Sequence, residues 1–469
     1  MPGLLPRGWR RLGADLRESL RGHSQDATRG PLGRALLLLA VPMVLELALE
    51  SVFAVCDAWF VGRLGPEALA TVGLTESMLT LVYGVGLGLA MATTAVVARR
   101  VGENRVREAS SAAGTSILLG LMVSVVVVLP GLLFADEILR LMGADENVVR
   151  VGANYCRIQL GTSFVIVLLF LHNAIYRGAG DATMAMKSLW IANAFNIVLD
   201  PCLIFGLGPF PEMGLTGAAV ATVVGRGIGI AFQLRGLFRG NGRLHLQRKD
   251  LAFDRVLMRR IFFLSLTGML QFLVGTASHV VLIRMMNRFG DAATASWTLA
   301  IRILLFALLP AFGMANAGAT MVGQNLGAKK PDRAERAVWA AAACNAAFMA
   351  VVSILMLAFA TPLMEGFTDD TEVRRLGVRG LRTIAWGCVF FGVGMVTMQS
   401  FNGAGDTKTP LRANVFVFWL FQLPLAWILS ETLDMGAQGI YVAVTLTYSL
   451  QAVVGVLLFR RGSWRRIDL

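Results

Sequence analysis

The sequence predicts an all-α integral membrane protein with twelve transmembrane helices in two pseudo-two-fold-related six-helix bundles. First, its 469 residues are 56% hydrophobic and only 16% charged, which is too apolar for an ordinary soluble domain. Second, apolar segments long enough to cross a bilayer, about 20 residues each, recur along the chain. Third, short motifs repeat at a fixed offset. The chain is therefore expected to lie in the bilayer almost throughout.

The predicted spans are separated by short polar connections. They cover residues 36–62, 69–97, 112–134, 152–176, 183–206, 214–238, 261–287, 294–322, 336–360, 380–402, 411–430 and 436–459.

The connections alternate between basic and acidic, which predicts topology, because Lys and Arg are enriched in cytoplasmic loops. Basic residues follow spans two, six, eight and twelve: Arg99, Arg100, Arg105, Arg107, Arg235 through Arg260, Lys329, Lys330, Arg333, Arg336, Arg460, Arg461, Arg465 and Arg466. Acidic residues follow spans three and nine: Asp136, Glu137, Asp145, Glu146, Glu365, Asp369, Asp370 and Glu372. Both termini are expected to be cytoplasmic, in a multi-pass protein of the cell inner membrane.

The two halves repeat each other most plainly in the sequence Gly-Ala-Gly-Asp. It begins at Gly178 and again at Gly403, and 403 − 178 = 225. The pairs Gly65 and Gly290, and Gly102 and Gly327, share that offset. A repeat of six spans enters the membrane from the same side each time, so the halves are expected to be related by an axis along the membrane normal, with the substrate path between them.

The predicted domain limits follow from this repeat. They are a basic N-terminal tail at 1–34, a six-helix bundle at 35–240, a cytoplasmic linker at 241–260, a second bundle at 261–460 and a C-terminal tail at 461–469. The tail either lies on anionic headgroups or is disordered.

The composition also excludes several functions. The formal net charge of +13 lies in loops between apolar segments, so it indicates topology and not nucleic-acid binding. The five cysteines are far apart without ligand spacing, so neither a metal site nor a disulfide is expected. A GxxxxGK[ST] nucleotide motif is absent from the sequence, so transport energy is expected from an ion gradient. A membrane-embedded enzyme is disfavoured, because His172 and His279 have no second catalytic group beside them.

Three acids lie within the first predicted span. At 100° per residue, Glu46, Glu50 and Asp57 share one narrow face, about 16 Å long. Ionisable groups inside a span each cost about 2.5–3.5 kcal/mol on insertion scales and therefore mark functional sites. A stripe of acids cannot face lipid, and we expect it to face a water-filled path. The alternative is that these acids pair with arginines or hydrogen-bond donors and only hold helices together.

The fifth span carries a second polar face. Asn193, Asn196 and Asp200 are spaced i, i+3, i+7, and Pro201 is expected to bend the helix and free a carbonyl. Because spans one and five run outward, Asp57 and Asp200 are expected to meet in the outer half of the membrane, with Thr222 of the sixth span at a similar depth. Carboxylate, amide and hydroxyl oxygens suit a proton or Na⁺.

Other polar residues have open roles. Glu76 either joins this group or is solvated near a membrane end. In the second half, which has no comparable buried acid, the residues Gln271, Arg284 and Arg302 are predicted to line a path. The two arginines could equally extend to the outer interface.

Several motifs together resemble those of the multidrug and toxic compound extrusion family. They are PMVLELALESVFAVCDAWFVGRLGPEALATVGL in the first span, VARRVGENR after the second, and the repeated RGAGD and NGAGD, and the likeness covers roughly residues 34–460. The resemblance implies two six-helix bundles that export organic cations and other amphipathic drugs in exchange for protons or Na⁺, with no cofactor.

The resemblance also implies site residues. Asp57 in FAVCDAWFVG matches the family's first-helix carboxylate, Asn196 and Asp200 in NIVLDP are similar to its fifth-helix pair, and Thr222 in GAAVAT matches its sixth-helix threonine. The set is similar to the DinF-like branch, because the glutamate that the NorM-like branch carries on its seventh helix is absent from this sequence. Glu46 and Glu50 match no family position and either extend the proton path or tune the charge of the substrate.

The expected function is a monomeric drug antiporter with small cationic or amphipathic substrates. The alternative is a flippase for lipid-linked saccharides from the same superfamily, although its anionic substrates favour a basic cavity.

The predicted topology can be tested by labelling single cysteines in a cysteine-free variant with a membrane-impermeant maleimide. Cysteines at Asn104, Gly242 and Lys329 should react only from the cytoplasm, and cysteines at Glu146 and Asp369 only from outside. Reversed labelling at any of these sites would contradict the twelve-span topology.

Overall fold

The computed structural model describes residues 14–20, 22, 26–240 and 242–467. Within these residues, twelve helices are long and apolar enough to cross a membrane, which confirms the predicted fold class. They are α1 Leu32–Gly62, α2 Pro66–Gly102, α3 Val106–Leu133, α4 Glu146–Ala179, α5 Ala182–Phe205, α6 Leu215–Arg239, α7 Arg255–Phe289, α8 Asp291–Gly327, α9 Pro331–Glu365, α10 Thr371–Ala404, α11 Lys408–Thr432 and α12 Ala437–Arg460.

The repeated Gly-Ala-Gly-Asp sequence ends one helix and starts the next. Gly180 after α4 and Gly405 after α10 both have φ 88°, a left-handed conformation that glycine adopts without strain. The following aspartates cap the next helix: Asp181 accepts from the Met184 N–H at 3.2 Å, and Asp406 from the Thr409 N–H at 3.1 Å. The motif is therefore a helix-stop, helix-start signal used once in each half.

The chain divides into two compact units. The first contains the described residues up to Asp26 and the stretch Leu37–Met269, and the second contains Ala27–Leu36 and the chain from Leu270 onward. In the first unit, α5 packs along α6 and α4 along α2, whereas in the second, α10 packs against α8, α9 and α12. The predicted domain limits remain a prediction. Parts of the two predicted tails, residues 1–13, 21, 23–25 and 468–469, lie outside the described residues.

Two helices of the first unit position the polar side chains described below. α5 continues through Pro201 to Phe205, so the proline lies inside the helix and does not end it. α4 consists of two α-helical segments, Glu146–Gly161 and Phe164–Ala179, and the second segment carries a row of buried polar residues.

Candidate functional site

The fully buried carboxylate of Asp200 on α5 is the centre of a hydrogen-bonded cluster. The Asn196 amide nitrogen donates to Asp200 Oδ2 at 2.7 Å, and its oxygen accepts from the Thr222 backbone N–H at 3.0 Å and hydroxyl at 3.1 Å. The cluster joins α5 to α6. The second oxygen, Asp200 Oδ1, is buried without a hydrogen-bond partner among the described residues. A buried polar atom without a partner is costly, and a bound proton or cation would supply one.

Asp57 on α1 is half-buried beside this cluster, and its charge acts on Asp200. Two further charges act on Asp57 itself, the carboxylate of Glu76 and the guanidinium of Arg226. Glu76 is exposed on α2. The structure therefore gathers three acids from three helices around one part of the first unit.

A second level of polar contacts centres on Glu50. The Asn193 amide donates to Glu50 Oε2 at 3.1 Å, so Asn193 binds the α1 acid and not Asp200. Arg226 lies beside the Tyr83 hydroxyl, and its charge acts on both Glu50 and Asp57. Since Arg226 follows Thr222 by four residues on α6, both side chains project from the same face of that helix.

A third level surrounds Glu46, which is 1% exposed. Its Oε1 accepts from the Asn173 amide at 3.1 Å and from Arg177 Nη1 at 3.3 Å, both on α4. Asn173 in turn accepts from the Gln233 amide of α6 at 2.5 Å. Glu46 Oε2 is buried without a hydrogen-bond partner among the described residues.

The three levels follow one another along the helices. On α1 they lie at residues 57, 50 and 46, which spans about 16 Å at 1.5 Å per residue. On α6 they lie at 222, 226 and 233, in the opposite chain direction. We call this set the polar column of the first unit.

The predicted residues of the second unit have different surroundings. Gln271 is buried and exchanges hydrogen bonds with Asn402 of α10. Arg284 and Arg302 have exposed side chains. Amide hydrogen bonds continue from the buried Asn402 to the half-buried Gln399, and from Gln399 to the half-buried Asn316 of α8.

Sequence reasoning did not identify several members of the polar column: Tyr83, Asn173, Arg177, Arg226 and Gln233. The sequence does contain a signal for Arg226, because inserting an arginine in the middle of an apolar span costs as much free energy as inserting an acid such as Glu46 or Asp57. Arg177 was noticed only as part of the repeated motif. For Asn173 and Gln233, spacing within one helix gives no information about contacts to another.

Twelve membrane-spanning helices and, in the first unit, a column of carboxylates, amides and two arginines are typical of a secondary transporter. A family model described as MatE matches residues 42–202 and 267–428, and the two matches begin 267 − 42 = 225 residues apart, the offset of the sequence repeat. The chain belongs to this family, the multidrug and toxic compound extrusion (MATE) transporters, and is a transporter and not an enzyme.

Individual relatives agree along nearly the whole chain. "Probable multidrug resistance protein YoeA" of Bacillus subtilis is 26% identical over 92% of this chain and 94% of its own length. A protein of Shewanella oneidensis named "FAD transporter" is 25% identical over 92% of this chain and 95% of its own. The solved structure of an outward-facing MATE family transporter has a TM-score of 0.88 and 27% identity, covering 95% of this chain and 99% of that one.

The site can be tested by single substitutions. Asp200→Asn and Asp57→Asn should each reduce dye efflux from cells at least about tenfold, because the amide keeps the volume but removes the charge. Thr222→Ala and Asn196→Ala remove neutral ligands of about 1 kcal/mol each, so we expect losses of about fivefold.

Expression level and Tm measured in detergent control for folding in these variants, and Asp369→Asn, an exposed loop acid, is the matched charge control. Normal efflux by either aspartate variant would contradict the assignment.

Proposed function

We propose that the protein is an ion-coupled efflux antiporter that exports cationic or amphipathic organic compounds in exchange for protons or Na⁺ by alternating access. The observation that carries this proposal is the buried Asp200 cluster with Asp57 beside it. Its oxygens match the ligand preference of a proton or of Na⁺. Family membership supports efflux of small molecules.

Antiport follows if the substrate and the coupling ion use the same negative charge. A bound organic cation stabilises ionised carboxylates, whereas a bound proton neutralises them, so each weakens binding of the other. Asp57 is suited to this competition because it is half-buried and therefore closer to an incoming substrate than the fully buried Asp200.

The charge of the column favours cationic substrates. The first two levels contain the three carboxylates of Glu50, Asp57 and Asp200, and the positive charge that acts on Glu50 and Asp57 is that of Arg226. Flavin adenine dinucleotide, the compound in the name of the Shewanella relative, is an anion, as are lipid-linked saccharides with a phosphate linkage. The excess of acids opposes both.

The remaining parts of the proposal concern placement and subfamily. The alternation of basic and acidic loops supports cytoplasmic positions for both termini, and we propose that the membrane is the cell inner membrane. The acids lie in the first unit, and α7 carries Gln271 but no acid within its apolar stretch, which supports the DinF-like branch. We propose a monomer, because the polar column lies within one unit of a single chain and needs no residue from a second copy.

Transport in proteoliposomes tests the function. Purified protein is reconstituted, and ethidium uptake is followed by fluorescence under a pH gradient and, separately, under a Na⁺ gradient. We expect one gradient to drive ethidium at least about tenfold faster than empty vesicles, and the Asp57→Asn, Asp200→Asn double variant to match empty vesicles.

Flavin adenine dinucleotide, assayed in the same vesicles, should not be transported. Transport of the dinucleotide with no ethidium movement under either gradient would reject the cationic assignment.

A further inference from the structure

The deepest level of the polar column contains a buried ion pair between α1 and α4. Glu46 is 1% exposed and Arg177 is 8% exposed, and Arg177 Nη1 lies 3.3 Å from Glu46 Oε1. The Asn173 amide donates to the same oxygen at 3.1 Å, whereas Glu46 Oε2 is buried without a hydrogen-bond partner among the described residues. The charged groups that act on Glu46 are Arg177 and, on its own helix, Glu50, whereas α6 contributes the neutral Gln233 through Asn173.

The second unit has a neutral pair at the equivalent positions. Gln271 of α7 and Asn402 of α10 exchange two amide hydrogen bonds, at 3.1 and 3.2 Å. The offsets are 271 − 46 = 225 and 402 − 177 = 225, the offset of the sequence repeat. Each half therefore links its first helix to its fourth through the same two positions, with charges in one half and amides in the other.

Comparing the two pairs shows that linking the first helix to the fourth is a separate matter from carrying charge. An amide pair makes the link in the second unit, so the link does not require ions. Buried ion pairs are in general no more stabilising than neutral pairs of similar shape, but removal of one partner is strongly destabilising because it leaves a buried charge alone. The same chemistry predicts that Gln and Asn together can replace Glu46 and Arg177, whereas either replacement alone cannot.

We propose that Glu46 and Arg177 are positioning residues that form a joint between α1 and α4, equivalent to Gln271 and Asn402, and that neither carries the coupled ion or contacts the substrate. The joint holds α1 so that Glu50 and Asp57 face α5 and α6. Burial keeps Glu46 away from substrate, and Arg177 compensates its charge. This inference rests on the proposed antiport and decides the role of Glu46, which the sequence leaves open.

A substitution cycle tests the joint. Four proteins are compared: the parent, Glu46→Gln, Arg177→Asn and the double variant, which recreates the chemistry of the second unit. Each single variant should lower Tm by about 5 °C or more and reduce ethidium transport at least about tenfold. The double variant should recover Tm to within about 2 °C of the parent and transport to at least half, with the pH profile of the parent.

The variant Glu46→Gln, Arg177→Met is the matched control, because it removes both charges without supplying an amide partner. Its Tm should stay below that of the Gln, Asn variant. If the double variant Glu46→Gln, Arg177→Asn is no more stable than the two single variants, the proposed joint is contradicted. A stable Gln, Asn variant that moves ethidium down its own gradient but no longer responds to the ion gradient would show that Glu46 carries the coupled ion, and would overturn the proposal too.

The transport assay tests the proposed function, the Tm comparison tests the joint, and either proposal can be rejected without the other. If the parent itself transports no ethidium under either gradient, the proposed function is rejected, whereas the Tm cycle still decides whether the two residues form a joint.

Discussion

An ionised side chain inside a membrane-spanning helix must find its partner within the protein, because hydrocarbon offers neither hydrogen bonds nor counter-ions. This constraint organises the interior of the first unit. Glu46 Oε1 accepts from an arginine and an asparagine, Glu50 accepts from an asparagine, and Asp200 Oδ2 accepts from an asparagine. The second oxygens of Glu46 and Asp200 are both buried without a hydrogen-bond partner among the described residues. Glu46 differs in having an arginine that compensates its charge, so Asp200 is the buried carboxylate better placed to bind an exchangeable ion.

The two halves share the same residues at helix ends and helix starts but differ in their buried polar side chains. Gly180 and Gly405 end equivalent helices with the same φ, and Asp181 and Asp406 cap the helices that follow. The carboxylates have no such correspondence, since the positions 225 residues after Glu50 and Asp57 are Gly275 and Leu282. A repeat can thus preserve helix ends and helix packing while, among the described residues, one copy alone carries buried acids.

The fold could be predicted from the sequence because a bilayer sets the length of each span and the repeat indicates that the number of spans is twice six. The faces of single helices could be predicted as well, since helical periodicity alone places Glu46, Glu50 and Asp57 on one stripe. Partners across helices could not. Asn193 shares a helix face with Asp200, but the two residues are seven positions apart, which is about 10 Å along the helix axis. In the structure the Asn193 amide donates a hydrogen bond to Glu50 instead. The ion pair of Arg177 with Glu46 could not be predicted either, because the motif that contains Arg177 is already explained by its role at the helix end.

We propose that an organic cation and the coupling ion compete for the carboxylates of Asp57 and Asp200. The most direct measurement is proton release when ethidium binds to the purified protein in weakly buffered, Na⁺-free solution, repeated with the Asp57→Asn, Asp200→Asn variant. We expect that ethidium binding to the parent releases protons, that added Na⁺ or lower pH weakens ethidium binding, and that the double variant releases no protons. Ethidium binding that releases no protons and is unaffected by either ion, or equal proton release from the double variant, would contradict this competition.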